Sequence, residues 1–346
     1  MNFIASAHPE SLSLAAAELG GLGIYSKVIC PHAVECEWVD PFLDASAKLR
    51  ASGAVFVSYL APIEIRLPRG GPDDGIAAIT AAALELLERH GQRKSPVSVH
   101  LFSLGASDQG LGRSVGKELA ERLRADGVSI ERKAPSFLVT VGVTEEEYVV
   151  GVCATEAALS SWPLGQARYR LDDAQSVSRA EGKLVEALDT LPFSPPLECV
   201  VVDLGASPGG WTRVLAERGH RVEAVDPAEL VASVVRMRGV THHRMAADRY
   251  IGEARGRGLR FGALVNDMRM DPVESAQLVD EAAAILSPNA AVLMTLKLKL
   301  ESSPEEIFGV ISQAKEILSR RYELQGARQL FSNRSEVTFA LRRKGT

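Results

Sequence analysis

Apolar and polar residues along this chain follow two periods. Ser11-Leu-Ser-Leu-Ala-Ala-Ala-Glu-Leu-Gly has helical spacing and stops at Gly20-Gly21, a pair suited to a helix end; Asp74 to His90 repeats that period up to Gly91, and Gly112 to Ala125 repeats it again. Gly53-Ala-Val-Phe-Val-Ser-Tyr-Leu and Ser95 to Leu104 read as strands. Phe137-Leu-Val-Thr-Val-Gly-Val and Tyr148-Val-Val-Gly-Val-Cys read as a hairpin across the acidic turn Thr144 to Glu147. The period lapses at Trp162-Pro-Leu-Gly-Gln-Ala-Arg-Tyr-Arg and Asp172-Asp173, which predicts an α+β domain over residues 1–170 and a second domain over 171–346. In the second, a helix from Ser178 and the connection Pro192-Phe-Ser-Pro-Pro196 precede a strand ending at Asp203. Further strands at 221–226, 262–267, 290–297 and 336–342 alternate with helices, which implies an α/β fold with a parallel sheet covered on both faces.

The densest chemistry lies in Val200-Val-Val-Asp203-Leu-Gly205-Ala-Ser207-Pro208-Gly209-Gly210-Trp211-Thr212. An apolar strand closes on an acid, and Gly205, Gly209 and Gly210 let a ligand approach the backbone before a helix begins. Asp226 ends the next strand about 20 residues beyond the glycine turn, where doubly wound folds place a ribose-hydroxyl acceptor. The loop lacks G-x-G-x-x-G, so a cofactor without a pyrophosphate is favoured over a dinucleotide, and S-adenosylmethionine is the common one. For Asp226 and Asp248 as ribose and adenine contacts, the alternative is a helix cap. Trp211 is expected to pack behind the loop.

Charge narrows the partners. The net charge of −5 excludes a protein that coats nucleic acid indiscriminately. The asymmetry is local: residues 1–174 hold 16 Lys/Arg against 22 Asp/Glu, whereas between Arg236 and Arg269 eight arginines face three acids. That second stretch is either a basic face or a solvated surface, and His242 and His243 within it are expected at the surface. Cys30, Cys36, Cys153 and Cys199 lack C-x-x-C spacing, which predicts neither disulfide nor zinc, and no ligand cluster implies another metal. No apolar run is long enough for a membrane span and no signal peptide is evident, so a soluble cytoplasmic protein is expected.

Four charged residues fall at element ends without a packing reason: Lys183 in Ser178-Arg179-Ala-Glu-Gly-Lys183-Leu, Asp267 in Leu264-Val-Asn-Asp267-Met, Lys297 in Met294-Thr-Leu-Lys297-Leu-Lys299, and Glu336 in Asn333-Arg-Ser-Glu336-Val-Thr. With these motifs the chain resembles the FtsJ-like ribose 2′-O-methyltransferases over about residues 148–343. Within them it is most similar to the large-subunit (23S) ribosomal RNA cytidine 2′-O-methyltransferase M family, through Ser178-Arg179 with Lys183-Leu184, Leu296-Lys297-Leu298, Arg328-Gln-Leu and Glu336-Val-Thr. The resemblance implies a Rossmann-like S-adenosylmethionine-dependent methyltransferase sheet. It further implies a catalytic tetrad of Lys183, Asp267, Lys297 and Glu336, with cofactor contacts from Asp203, Gly205, Ser207, Pro208, Gly209, Gly210, Trp211, Asp226, Asp248 and Asp267. Ala15-Ala-Ala-Glu-Leu-Gly-Gly-Leu-Gly and the helix-then-hairpin order of residues 95–155 are similar in pattern to a THUMP domain, an RNA-binding module.

A ribose hydroxyl is a weak nucleophile, so positioning and proton removal are the protein's tasks. A lysine accepts that proton only when neutral, against an ordinary pKa of about 10.4, so Lys183 is expected as the cation beside Lys297. Asp267 would orient the lysine and hydroxyl, and Glu336 would hold the second lysine or the ribose. The competing readings are a non-catalytic RNA-binding or assembly protein that keeps this fold, and a methyltransferase acting on a small molecule or protein.

Overall fold

The computed structural model describes residues 1–70, 72–105, 112–167 and 176–345. The chain divides into two compact units, Met1–Ala167 and Arg168–Thr346. The boundary expected at 170/171 lies outside the described residues.

The first unit comprises β1 (Asn2–Ser6), α1 (Leu12–Gly21), β2 (Tyr25–Cys30), β3 (Ala33–Glu37), α2 (Phe42–Ser52), β4 (Tyr59–Ile63), β5 (Ile65–Pro68), α3 (Pro72–Arg89), β6 (Val97–Ser103), α4 (Gly112–Ala125), β7 (Phe137–Val143) and β8 (Glu147–Ala154). Two four-stranded sheets form, ordered β2-β3-β1-β4 and β5-β8-β7-β6. The hairpin β7–β8 pairs as its alternation requires, whereas β6 runs parallel to β7 after the crossover through α4. Ile79, Ala83 and Leu86 of α3 and Leu119 and Leu123 of α4 bury their apolar stripes with Val139, Val141 and Val150 of the sheet. β4 and β5 belong to different sheets yet are separated by Glu64 alone, whose carboxylate accepts the Val152 N–H at 2.8 Å. At this crossing the backbone of Pro62 approaches Gly151 so closely that a Cβ would lie 2.1 Å from its carbonyl oxygen.

The strand expected over 53–60 is corrected to begin only at Tyr59. The reason is a carboxylate. Glu18 of α1 accepts the backbone N–H groups of Val55, Phe56 and Val57 at 2.7, 2.8 and 3.2 Å, so these residues take their partner from a helix instead of a neighbouring strand. β1, β2, β3, β5 and α2 also lay outside the sequence-based assignment; β2 shows no clean apolar alternation, with Lys27 and Val28 both exposed.

The second unit contains α5 (Ala180–Thr190), β9 (Val200–Leu204), α6 (Gly210–Glu217), β10 (Arg221–Val225), α7 (Ala232–Val235), β11 (Val240–His243), α8 (Ala247–Gly256), β12 (Phe261–Asn266), α9 (Pro272–Ala282), β13 (Leu286–Lys297), α10 (Pro304–Ser319), β14 (Tyr322–Arg328) and β15 (Glu336–Arg343). Its seven-stranded sheet runs β11-β10-β9-β12-β13-β15-β14. The order reverses beside β9, which creates the switch point where such sheets open a crevice. The sheet is not wholly parallel, as the alternation of strands and helices had implied. β15 is antiparallel to both β13 and β14, because a loop instead of a crossover helix joins β14 to β15 and returns the chain between its neighbours. In this unit β11 and β14 were the strands not assigned from sequence.

Replacing Glu18 by Ala would strand backbone donors of Val55 and Phe56, whose residues are fully or almost fully buried. The expected cost is about 3 kcal/mol in urea unfolding, with faster amide exchange at Val55 to Val57 and unchanged exchange in β9. Unaltered exchange at those amides would show that the clamp holds nothing.

Candidate active site

β9, β10, β12 and β13 are mutually parallel in sequence of pairing, so their carboxyl ends share one edge of the sheet, and antiparallel β15 begins there. Lys297 and Glu336 are cross-strand partners in the β13–β15 register. Asp267 follows β12, and α5 contributes Lys183. The four side chains form a closed square of alternating charge. Lys183 Nζ lies 2.6 Å from Glu336 Oε2 and 3.6 Å from Asp267 Oδ2, while Lys297 Nζ lies 3.0 Å from Glu336 Oε1 and donates to Asp267 Oδ1. Their side chains are only 13–19% exposed. Lys183 and Lys297 share Asp267 and Glu336, each carboxylate bridging the two ammonium groups, as charges at this depth need counter-ions.

Three unassigned groups hold this square in place. Thr295, two residues before Lys297 and so on the same strand face, donates to Asp267 Oδ1 at 2.7 Å. Glu186, one turn after Lys183, accepts the backbone N–H groups of Phe331 (2.7 Å) and Ser332 (2.9 Å) in the loop that delivers Glu336. Burial pushes the Glu186 carboxyl above its ordinary range, against those hydrogen bonds. Glu181, fully buried, accepts from Val177 N–H and from the Arg213 guanidinium at 2.5 Å. Burial raises its carboxyl, but Arg213 and the backbone donors outweigh that and leave it below its ordinary range. Thr295 was findable from its period-two spacing with Lys297. Glu181 and Glu186 gave no such signal, since a glutamate on a helix ordinarily faces water.

Beside the square opens a cleft of about 420 Å³, lined by Gly205, Asp226, Asp248 and Met268 among others. Met268 adjoins Asp267 in sequence, so square and cleft meet there. Of the expected cofactor residues, Gly205, Asp226 and Asp248 reach the cleft wall. Gly205 has φ +76°, and a Cβ on it would lie 2.5 Å from Met268 Cγ. Asp226 accepts from Ala228 N–H (2.8 Å) and Ser207 N–H (3.1 Å), which ties the acid to the glycine turn. Asp248 is exposed in the first turn of α8, whose N-cap residue is Ala246, so the helix-cap alternative is set aside.

The remaining loop residues shape the turn instead of lining the cleft. Ser207 Oγ donates to the Glu229 carbonyl, and the Ser207–Pro208 peptide is cis. A Cβ at Gly209 would crowd Val234, and one at Gly210 would lie 2.3 Å from Ser178 Oγ. Trp211 is buried in the core with its Nε1 donating to the Ala180 carbonyl at 2.7 Å, which places its indole away from the cleft. Asp203 is also corrected from wall to interior: it is 1% exposed and receives the Thr212 hydroxyl at 2.6 Å. Burial pushes its pKa to about 7, aided by the charges of Asp267 and Asp226 and opposed by Thr212. His243 pairs with Glu223 of β10 and is half-buried. The wall formed by Glu274, Gln277, Leu278 and Glu281 of α9 was not anticipated.

Residues 176–299 match the FtsJ-like methyltransferase family. The ribosomal RNA large subunit methyltransferase M of Alkalilimnicola ehrlichii is 36% identical across 49% of this chain and 48% of that protein. The protein of that name in Xanthomonas oryzae pv. oryzae is 32% identical across 59% and 60%, and that of another strain is 28% identical across 86% and 85%. The chain thus spans between about half and three-fifths of the length of the first two relatives.

The buried Asp203 generates a pH dependence. Its carboxyl has an ordinary value of 3.8 and about 7 in the fold. Below pH 4 both states carry the proton and no penalty arises; between pH 4 and 7 the unfolded chain ionises first, so stability falls as pH rises, and the loss is complete above pH 7. Asp203→Asn should therefore gain on the parent from pH 4 to 8, on the order of 4 kcal/mol. Urea midpoints at the two pH values check this, and parallel pH profiles would refute it.

Proposed function

The second unit carries an FtsJ-like methyltransferase domain, and from it we propose that the protein transfers a methyl group from S-adenosylmethionine to a ribose 2′-hydroxyl of large-subunit ribosomal RNA. The observation that carries the reading is the Lys183–Glu336–Lys297–Asp267 square, one residue from a nucleoside-sized cleft. The cleft suits the cofactor in kind: Asp226 and Asp248 offer acceptors for ribose and adenine, and its acidic wall suits a cationic ligand. When bound, S-adenosylmethionine supplies an already activated methyl on a sulfonium.

The chain's residues then have to place and deprotonate the hydroxyl. An ammonium has three N–H donors; Lys297 directs two to Asp267 and Glu336, leaving one direction for the ribose oxygen. Lys297 Nζ takes the hydroxyl proton as the carbon–oxygen bond forms, and Asp267 and Glu336 hold the ammonium that results. Asp267 orients Lys297, and Glu336 braces both lysines. Asp203, Ser207, Pro208, Gly209, Gly210 and Trp211 act by fixing the turn against which the cofactor rests. The first unit, with the sequence pattern of a THUMP-like module, recognises RNA by shape, a task that its acidic balance permits. Such a substrate places the protein in the cytoplasm.

Deproteinised ribosomal RNA from a host lacking the gene, incubated with methyl-labelled S-adenosylmethionine, should take label on one ribose 2′-oxygen. Lys297→Ala should slow single-turnover transfer about 10²- to 10⁴-fold while binding S-adenosylmethionine within threefold of the parent. An unchanged single-turnover rate removes Lys297 from the chemistry. Cofactor binding with label entering a small molecule or protein but no RNA would replace the RNA reading, and absent cofactor binding would favour a non-catalytic RNA-binding protein.

A further inference from the structure

We propose that Arg179, Lys299 and Arg334 form a phosphate clamp around the charge square, holding single-stranded RNA on either side of the nucleotide presented to Lys297. This rests on the RNA reading and adds the residues that grip the strand. The square itself contains two ammonium and two carboxylate groups, so it offers no net attraction to a polyanion. Affinity for phosphate has to come from cations that surround it.

Three such cations lie one same-face step outward from Lys183, Lys297 and Glu336. Arg179 caps α5 with helical backbone angles (φ −60°, ψ −19°) four residues before Lys183, the spacing that stacks side chains on one helix face. Lys299 and Arg334 stand two residues beyond Lys297 and two before Glu336. The Leu298 N–H donates to the Ser335 carbonyl at 2.7 Å, which carries the β13–β15 pairing past the Lys297–Glu336 step and brings the segments of Lys299 and Arg334 opposite each other. All three residues are exposed, and among the described residues none makes an ion pair. They come from three separate segments, so their convergence cannot be read as one solvated charge run. Two guanidinium groups can each take a phosphate bidentately, with Lys299 adding a point charge.

The arginine-rich stretch 236–269 is the competing surface. Arg244 pairs with Glu229 at 3.0 Å and Arg249 with Glu253 at 2.9 Å, so part of its charge is already neutralised. Arg236 and Arg238 lead into its strand β11, four places from β13 in the sheet and roughly 19 Å away at ordinary strand spacing, whereas Arg269, two residues after Asp267, belongs to the surroundings of the square.

The test measures binding of a fluorescein-labelled 12-nucleotide single-stranded RNA against salt, with the full chain. The triple variant R179Q/K299Q/R334Q should flatten the slope of log affinity against log salt by about 2 and raise Kd about 100-fold at 0.1 M salt. S-adenosylmethionine affinity and the urea midpoint should stay at parent values, which separates lost phosphate contacts from misfolding. The matched control R236Q/R238Q/R255Q should leave the slope unchanged. An unaltered slope in the first variant, or an equal loss in the control, overturns the clamp while parental RNA methylation leaves the functional reading standing. A parent that neither binds RNA with salt dependence nor methylates it overturns both.

Discussion

Everything at the carboxyl edge of the seven-stranded sheet depends on one electrostatic constraint: charges withdrawn from water have to meet opposite charges at hydrogen-bond distance. Lys183, Asp267, Lys297 and Glu336 satisfy it as a closed set, each cation reaching both acids. No member can be removed without stranding its neighbours. The set also requires α5, the end of β12, the end of β13 and the start of β15 to converge, so the antiparallel insertion of β15 between β13 and β14 is what makes the square possible. A wholly parallel sheet would have put the start of that strand at the opposite edge.

The same constraint explains the ring of groups behind the square. Glu186 uses its buried carboxylate to fix the backbone before Glu336, and Glu181 ties Arg213 of α6 to the start of α5. Both acids are anchored on the helix that carries Lys183, so the position of the lysine and that of the loop opposite it are set by one rigid element. Asp203 is the contrasting case. Buried and with the like charges of Asp267 and Asp226 nearby, it holds its proton more tightly.

Much of the second unit was legible in its sequence because the signal was local. An apolar run ending in Asp203, a glycine turn and a following helix describe one corner without knowledge of the rest. The tetrad was visible as charges at element ends, although its alternating geometry was not, since that depends on which strand lies beside which. The failures share a physical origin. Residues 53–58 looked like a strand because most of their side chains are apolar, but Glu18, 37 residues before Val55, takes the backbone N–H groups of Val55, Phe56 and Val57. Asp203 looked like a cleft residue because it flanks the turn, yet it is buried and bonds Thr212. In each case the deciding partner was a tertiary one.

Neutrality of the square separates two tasks that sequence alone would assign to the same lysines. A lysine committed to two carboxylates at 3 Å or less is a poor electrostatic attractor for a distant polyanion, because its field is cancelled within a few ångströms. It is well suited to proton transfer, where the energetic difference arises as the two ion pairs open and close. Cations without acid partners have the opposite character: their field extends to the Debye length, but nothing fixes their geometry tightly enough for chemistry. A site that both captures RNA and moves one proton is therefore expected to use two distinct sets of basic residues, distinguished by pairing and not by residue type.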